Sequence, residues 1–247
     1  MNQLLKLHID NIKREKSPVN VSKGPDEATI YLYDIIDPDF GASALAMVSA
    51  INQAGDAPTL NIRINSPGGS VFESRAMMAA IKNYKGKTIA HIDSLCASAA
   101  TSVALSCDEV VMSSGALFML HNASAFAWGD KTALRETADL LQKIELSIIK
   151  DYTDKTGKPD AEIIAMMDAE TWLTCDECME NGFIDRIAEG AKKATNAWNL
   201  AAFKNAPEAK STPPPDPAND TPPEPAEAAG FFTSATNQNR LTLLSIQ

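Results

Sequence analysis

A chain of 247 residues with 45% hydrophobic side chains is long enough for one large domain with extensions and lies in the globular range. Its formal net charge of −10 speaks against nucleic acid as the main partner, because neutralising phosphates takes clustered Lys and Arg. Apolar runs fall short of the roughly 18 residues that a membrane span needs, residues 1–10 do not read as a signal peptide, and a cytosolic protein is expected. Four cysteines, Cys96, Cys107, Cys175 and Cys178, are expected as free thiols there. Cys175-Asp176-Glu177-Cys178 lacks a second paired set of ligands, so neither a metal nor a cofactor is expected.

Residues 1–26 are polar, contain Pro18, Gly24 and Pro25, and read as an N-terminal arm. The β-branched and aromatic run 29–33 reads as a strand. A helix over 42–53 places Leu45, Val48 and Ile51 on one face, with Gly55 as its stop. Alternation over 60–64 predicts a strand, and 70–84 a helix that Ser70 caps with Glu73 three residues on. Strands are expected at 88–92, 109–112 and 117–120, with a short helix of small residues at 98–105. Alternation of strands and helices implies βαβ units and an α/β fold.

The longest helix is expected over 131–155. Leu134, Leu141, Ile144 and Ile148 form one stripe, with Leu140 and Ile149 off it. Two apolar faces need two things to bury against: the domain core and, on an equal footing, a subunit contact. A short helix over 160–167 leads to a strand at 171–173, a helix at 175–181 and a last strand at 183–187. Eight of the chain's 14 prolines lie between Pro207 and Pro225, so 193–230 reads as a disordered, extended linker. The tail 231–247 ends in an apolar tip with Leu241, Leu243, Leu244 and Ile246.

Three features carry chemistry. Asn65-Ser66-Pro67-Gly68-Gly69 is a turn where backbone without Cβ atoms can approach a ligand closely. It lacks the patterns of a phosphate loop. Ser98 opens a helix, where unpaired N–H groups favour an alkoxide or oxyanion, and the Ala99 amide points at the same oxygen. His121 ends a strand, where a neutral imidazole can take a serine proton near pH 7 and return it to a leaving amine. Each has a plainer reading: a simple turn, a serine among small residues, a structural histidine. His91, inside a strand pattern, reads as structural. A third group should orient the imidazole, and Asp168 and Glu170 are two residues apart, so an extended segment would face both the same way.

Taken in order, these residues resemble the Clp protease (ClpP) family of serine peptidases over about 29–187. The resemblance rests on Ile64-Asn65-Ser66-Pro67-Gly68-Gly69, Ala97-Ser98-Ala99, Met119-Leu120-His121-Asn122, Leu173-Thr174 and Asn181-Gly182-Phe183-Ile184-Asp185. It implies a ClpP/crotonase-like spiral of ββα units over 27–192. It also implies a triad of Ser98, His121 and an acid, with Gly69 and Ala99 as the oxyanion hole. The family's aspartate position falls on Glu170, with Asp168 as the alternative. Ala127-Trp128-Gly129-Asp130, Thr137-Ala138-Asp139-Leu140-Leu141 and Asp168-Ala169-Glu170-Thr171-Trp172 look most like the phage-encoded, head-maturation (prohead) branch. That likeness implies ATP-independent cleavage of capsid or scaffold proteins in the host cytoplasm, within assembling proheads, by a ring-forming homo-oligomer. The resemblance also gives the helix over 131–155 a second use, as the contact between stacked rings. The alternatives are a Clp-type peptidase fed by an ATP-dependent unfoldase and a catalytically silent assembly protein on the same fold.

Overall fold

The computed structural model describes residues 3–14, 19–188 and 198–207. Its described elements run α1 (Gln3–Asp10), β1 (Asn20–Lys23), β2 (Glu27–Leu32), α2 (Ala44–Ala54), β3 (Thr59–Ser66), α3 (Val71–Lys82), β4 (Lys87–Ala97) and α4 (Ala99–Leu105). There follow β5 (Glu109–Ser113), β6 (Leu117–Leu120), α5 (Lys131–Thr156), α6 (Asp160–Asp168), β7 (Thr171–Leu173), α7 (Cys175–Glu180) and β8 (Arg186–Ala188).

One sheet runs in the order β1-β2-β3-β4-β5-β8, and β6 pairs with both β4 and β7. The neighbours β2 to β5, and β8, are parallel, while β1 and β7 join antiparallel. β4 is longer than the 88–92 expected and, besides β3, serves two more partners. Ile89–Ile92 pair with β5, and Leu95–Ala97 pair with β6 in the register Ala97↔Met119. β3 alternates strictly between buried and half-buried positions, so one of its faces meets the main core.

Caps fix the helix starts. Ser70 accepts from the Glu73 N–H at 3.3 Å. The Glu73 carboxylate reaches across instead to the Ala44 N–H of α2 at 2.6 Å. In α7, Thr174 and Glu177 form the reciprocal capping box.

The expected buried face of α2 is wrong in part. Met47, Ala50, Ile51 and Ala54 face inward, while Leu45 is 79% exposed and Val48 also points out. Small residues let α2 lie close to the sheet, and the larger Leu45 is left outside. Along α5, Ile148, Ile149 and Tyr152 are buried, whereas Leu134, Leu140 and Leu146 are exposed. The four cysteines are free and buried.

Two segments depart from the expected arm and linker. α1 lies inside 1–26, and β1 adds an edge strand there. Residues 198–207 fold back as a strap. Leu7 of α1 joins Ile35, Leu95, Ala97, Met119, Trp198, Leu200 and Phe203 in a second apolar cluster, while Cys96 belongs to the main core. Successive β4 residues thus serve opposite faces. Burying Leu200 and Phe203 is worth roughly 1.5–3 kcal/mol each at most. The remainder of the expected linker and tail, at 193–197 and 208–247, lies outside the described residues, as does the end of the expected domain, 189–192.

Candidate active site

The Ser98 elbow forms where β4 ends. Its backbone has φ 54° and ψ −128°, a conformation that L-residues rarely adopt, and α4 starts at the next residue. Three bonds hold the turn: the Ser98 N–H donates to the Met119 carbonyl at 2.9 Å, and the Ser98 carbonyl accepts from the Thr101 N–H at 2.9 Å and from Thr101 Oγ1 at 2.6 Å. Thr101 Oγ1 also lies 2.6 Å from the hydroxyl of Tyr152, which pins α5 to α4.

Strand register delivers His121. Ala97 pairs with Met119, so Ser98 and His121 lie one and two residues beyond the last rung. His121 Nε2 stands 2.7 Å from Ser98 Oγ. Burial holds the imidazole below its ordinary pKa of 6.5, and the charge of Glu170 opposes that fall. The ring is therefore neutral at pH 7 and can accept a proton.

The Asn65–Gly69 turn packs directly on the elbow. A Cβ at Gly68 (φ 85°) would lie 2.4 Å from the Ala97 carbonyl oxygen and 2.8 Å from the Ala99 nitrogen. Gly69 has φ 147°, and a Cβ there would lie 2.2 Å from the Ile36 oxygen. Ile36 binds the turn by donating to the Gly68 carbonyl and accepting from the Ser70 N–H, at 2.8 and 2.7 Å, and neither bond uses the Gly69 amide. Ala99 is the first residue of α4, so its N–H has no acceptor inside the helix. Among the described residues neither amide meets a backbone acceptor, and Gly69, Ser98 and Ala99 line one cavity. A cavity of about 410 Å³ opens there, walled by Val71, Phe72, Leu141, Ile144 and Ile148 among others.

The acids part company. Asp168 and Glu170 do not share an extended segment: Asp168 ends α6, and Glu170 follows in a turn with φ 50°. The helix runs one residue longer than expected, so the two side chains diverge. Asp168 accepts from the Asn122 side chain at 2.7 Å and faces outward. Glu170 is the acid whose charge acts on His121. Among the described residues neither carboxylate hydrogen-bonds to the His121 ring. The Glu170 oxygens accept instead from the backbone N–H groups of Lys204, at 3.0 Å, and Asn205, at 2.6 Å.

Sequence reasoning missed this third side of the site. Phe203 stands edge-on to His121, with ring centroids 5.7 Å apart at 86°, and lines the cavity. The available signal was Trp198, Leu200 and Phe203, large apolar residues just ahead of the prolines.

The Clp protease family profile matches residues 13–191. The chain is 22% identical over 180 residues to the ATP-dependent Clp protease proteolytic subunit of Chlorella vulgaris, spanning 69% of this chain and 86% of that one. It is 25% identical over 171 residues to subunit 3 of the same name from Rhodococcus jostii (strain RHA1), spanning 65% and 81%. A Bacteroides fragilis (strain YCH46) subunit is 28% identical over 169 residues, spanning 64% and 73%. Among solved structures, a ClpP1 mutant from Listeria monocytogenes superposes with a TM-score of 0.58 at 19% identity, covering 66% of this chain and 91% of that one. That likeness gives the fold, which is ClpP-like. The profile match takes in the Asn65–Gly69 turn, the Ser98 elbow, His121 and both acids, and this chain belongs to the Clp protease family.

Proposed function

We propose that this protein is a serine endopeptidase with Ser98 as nucleophile, His121 as general base and acid, and Glu170 as the acid that supports the imidazole. The observation that carries the reading is the 2.7 Å approach of His121 Nε2 to the hydroxyl of a serine held at φ 54°. His121 takes the hydroxyl proton as Ser98 Oγ attacks the peptide carbonyl. The amides of Gly69 and Ala99 receive the negative charge that develops on the carbonyl oxygen. The proton then passes from Nε2 to the departing amine. Water, deprotonated by the same nitrogen, releases the acyl group from Ser98. Glu170 offsets the positive charge that the ring carries between these steps. The apolar walls of the cavity suit an apolar side chain next to the scissile bond.

The natural substrates we assign are capsid or scaffold proteins, cut during phage head maturation without an ATPase by a ring of identical subunits. The support is the phage-like run of residues 127–130, 137–141 and 168–172. The exposed Leu134, Leu140 and Leu146 of α5 offer a surface for stacking. A second reading, peptidase partner of an ATP-dependent unfoldase, has its own support, because the relatives above are named as ATP-dependent subunits.

Fluorophosphonate labelling followed by peptide mapping tests the chemistry. Ser98 is expected to carry the label, and Ser98→Ala to lose peptide hydrolysis by about 10⁴-fold or more while still folding. A label on another serine, or full activity in Ser98→Ala, would end the reading. Mass spectrometry after co-expression with the products of neighbouring genes separates the substrates. Cleaved capsid or scaffold subunits support head maturation, and degradation of a folded protein only when an ATPase is added supports the second reading.

A further inference from the structure

The segments flanking the family-matched stretch meet at the catalytic site. α1 precedes residue 13 and the strap follows residue 191. Gln3 of α1 joins three pieces. Its Nε2 donates to the Ala202 carbonyl at 3.3 Å, and its Oε1 accepts at 3.0 Å from Ser124, in the loop after His121. At the near end of the strap, the Trp198 indole donates to Asn65 Oδ1 at 2.9 Å, and the Arg14 guanidinium stacks on the same ring at 3.7 Å. The strap is therefore tied to the glycine turn as well as to α1. At its far end, Phe203 packs edge-on against both His121 and Trp172. The Lys204 and Asn205 amides hold Glu170, and the Asn205 side chain donates to the Ala169 carbonyl at 2.8 Å.

We propose that residues 198–207, with α1 packed against them, are a working wall of this active site: Phe203 positions the His121 ring, and the backbone amides of Lys204 and Asn205 position the Glu170 carboxylate. The proposal rests on the reading of Ser98 and His121 as the catalytic pair.

Two simpler roles fit less well. A lid opening at each turnover would have to bare Trp198, Leu200 and Phe203 together, and all three are buried. Mere packing does not account for two consecutive amides converging on the one carboxylate whose charge acts on His121. A glutamate has one more rotatable bond than an aspartate, so its carboxylate wanders unless donors hold it. The strap supplies two such donors from outside the family-matched stretch, beside the longer bond, 3.4 Å, from the Trp172 indole within it.

The test uses the full chain and four variants: Phe203→Ala, Phe203→Leu, Asn205→Pro and Asn205→Ala. Hydrolysis of a fluorogenic peptide with an apolar residue before the scissile bond, and the rate of fluorophosphonate labelling at Ser98, are followed against pH, with thermal midpoints measured in parallel. Phe203→Ala and Asn205→Pro are expected to lower kcat about 10–100-fold with KM changed far less, as loss of alignment does. Their acid limbs should move in opposite directions. Removing the ring lets water reach His121 and moves the limb up in pH, whereas releasing Glu170 withdraws its charge and moves the limb down. Phe203→Leu should recover most of the rate and covers the case in which Phe203→Ala fails to fold. Asn205→Ala, which keeps the N–H, should lose less than Asn205→Pro. Unchanged or raised rates overturn the proposal, and so do losses without a shift of the acid limb. If wild-type Ser98 takes no label, the proposed function falls and the inference with it; a labelled wild type with unaffected variants sinks the inference alone.

Discussion

The two halves of the candidate triad are held by different kinds of structure. Ser98 and His121 hang from adjacent parallel strands, and their 2.7 Å approach follows from the register Ala97↔Met119 and the bond from Ser98 N–H to Met119. Glu170 has no such frame. It sits in a turn after α6, in a left-handed conformation, and its oxygens are fixed by a strap far away in sequence. A nucleophile and its base tolerate little play, and a sheet is the stiffest support available to a chain. An acid that acts through its charge needs no bond to the ring, but it must be kept near it, and the strap's donors do that.

The largest effect should come from disturbing the stiff half at its tightest point. Gly68→Ala puts a Cβ 2.4 Å from the Ala97 oxygen at a residue with φ 85°. Overpacking and backbone strain together should cost about 3 kcal/mol or more, and the elbow should shift enough to stop hydrolysis. Denaturant midpoints and peptide turnover would measure both. A stable, active Gly68→Ala would show that the turn does not hold the elbow.

The loose half should break more gently and reveal which acid matters. Glu170→Gln removes the charge and turns one of the two oxygens that accept from the Lys204 and Asn205 N–H groups into an NH2 donor, so one of those bonds is lost. Turnover should fall about 100-fold. Asp168→Asn, which disturbs a bond to Asn122 at the surface, should change it by less than about threefold. The reverse ranking would give the role to Asp168.

The pH profile sharpens the same comparison with a smaller change. The proposed mechanism needs neutral His121, and burial holds its pKa below 6.5. The acid limb of kcat/KM should therefore lie below pH 6.5. Glu170 raises that pKa, so Glu170→Gln should move the limb further down, whereas a limb at or above pH 6.5 would mean the ring is not desolvated in solution.

What the sequence made legible follows the same division. Strand alternation, the double glycine and the small-residue run made the strands, the turn and the short helix legible because regular structure repeats with a period that residues display, whereas the roles of Gly69, Ser98, Ala99 and His121 came from the resemblance to the Clp protease family. The acid was not decidable, since whether 168–170 is strand or helix end depends on where α6 stops, and Ala169 suits either. The strap and α1 were hidden for another reason. Neither can bury its apolar residues alone, so Leu7, Trp198 and Phe203 acquire meaning only against each other and the sheet. Similarly, spacing puts Leu45, Val48 and Ile51 on one face of α2, whereas close packing turns the face with Met47, Ala50 and Ala54 inward.

The smallest predicted effect asks whether the stiff half stores strain. Ser98 holds φ 54° and ψ −128°, which costs any side-chain-bearing residue of order 1–3 kcal/mol. Ser98→Ala keeps that cost, because alanine has a Cβ. Ser98→Gly removes it, at the expense of about 0.5–1 kcal/mol of extra backbone entropy lost on folding. Under the proposed mechanism both variants lack the nucleophile, so activity does not confuse the comparison. The glycine variant should be the more stable by about 1 kcal/mol, a rise of roughly 2–4 °C in Tm for a domain of this size. The bonds from Thr101 to the Ser98 carbonyl and from Ser98 to Met119 are backbone-directed and survive in both. Equal melting temperatures would mean that the sheet and α4 accommodate the elbow without strain. Ser98 would then be positioned by register alone, and the contrast with the strap-held Glu170 would be one of rigidity rather than of stored energy.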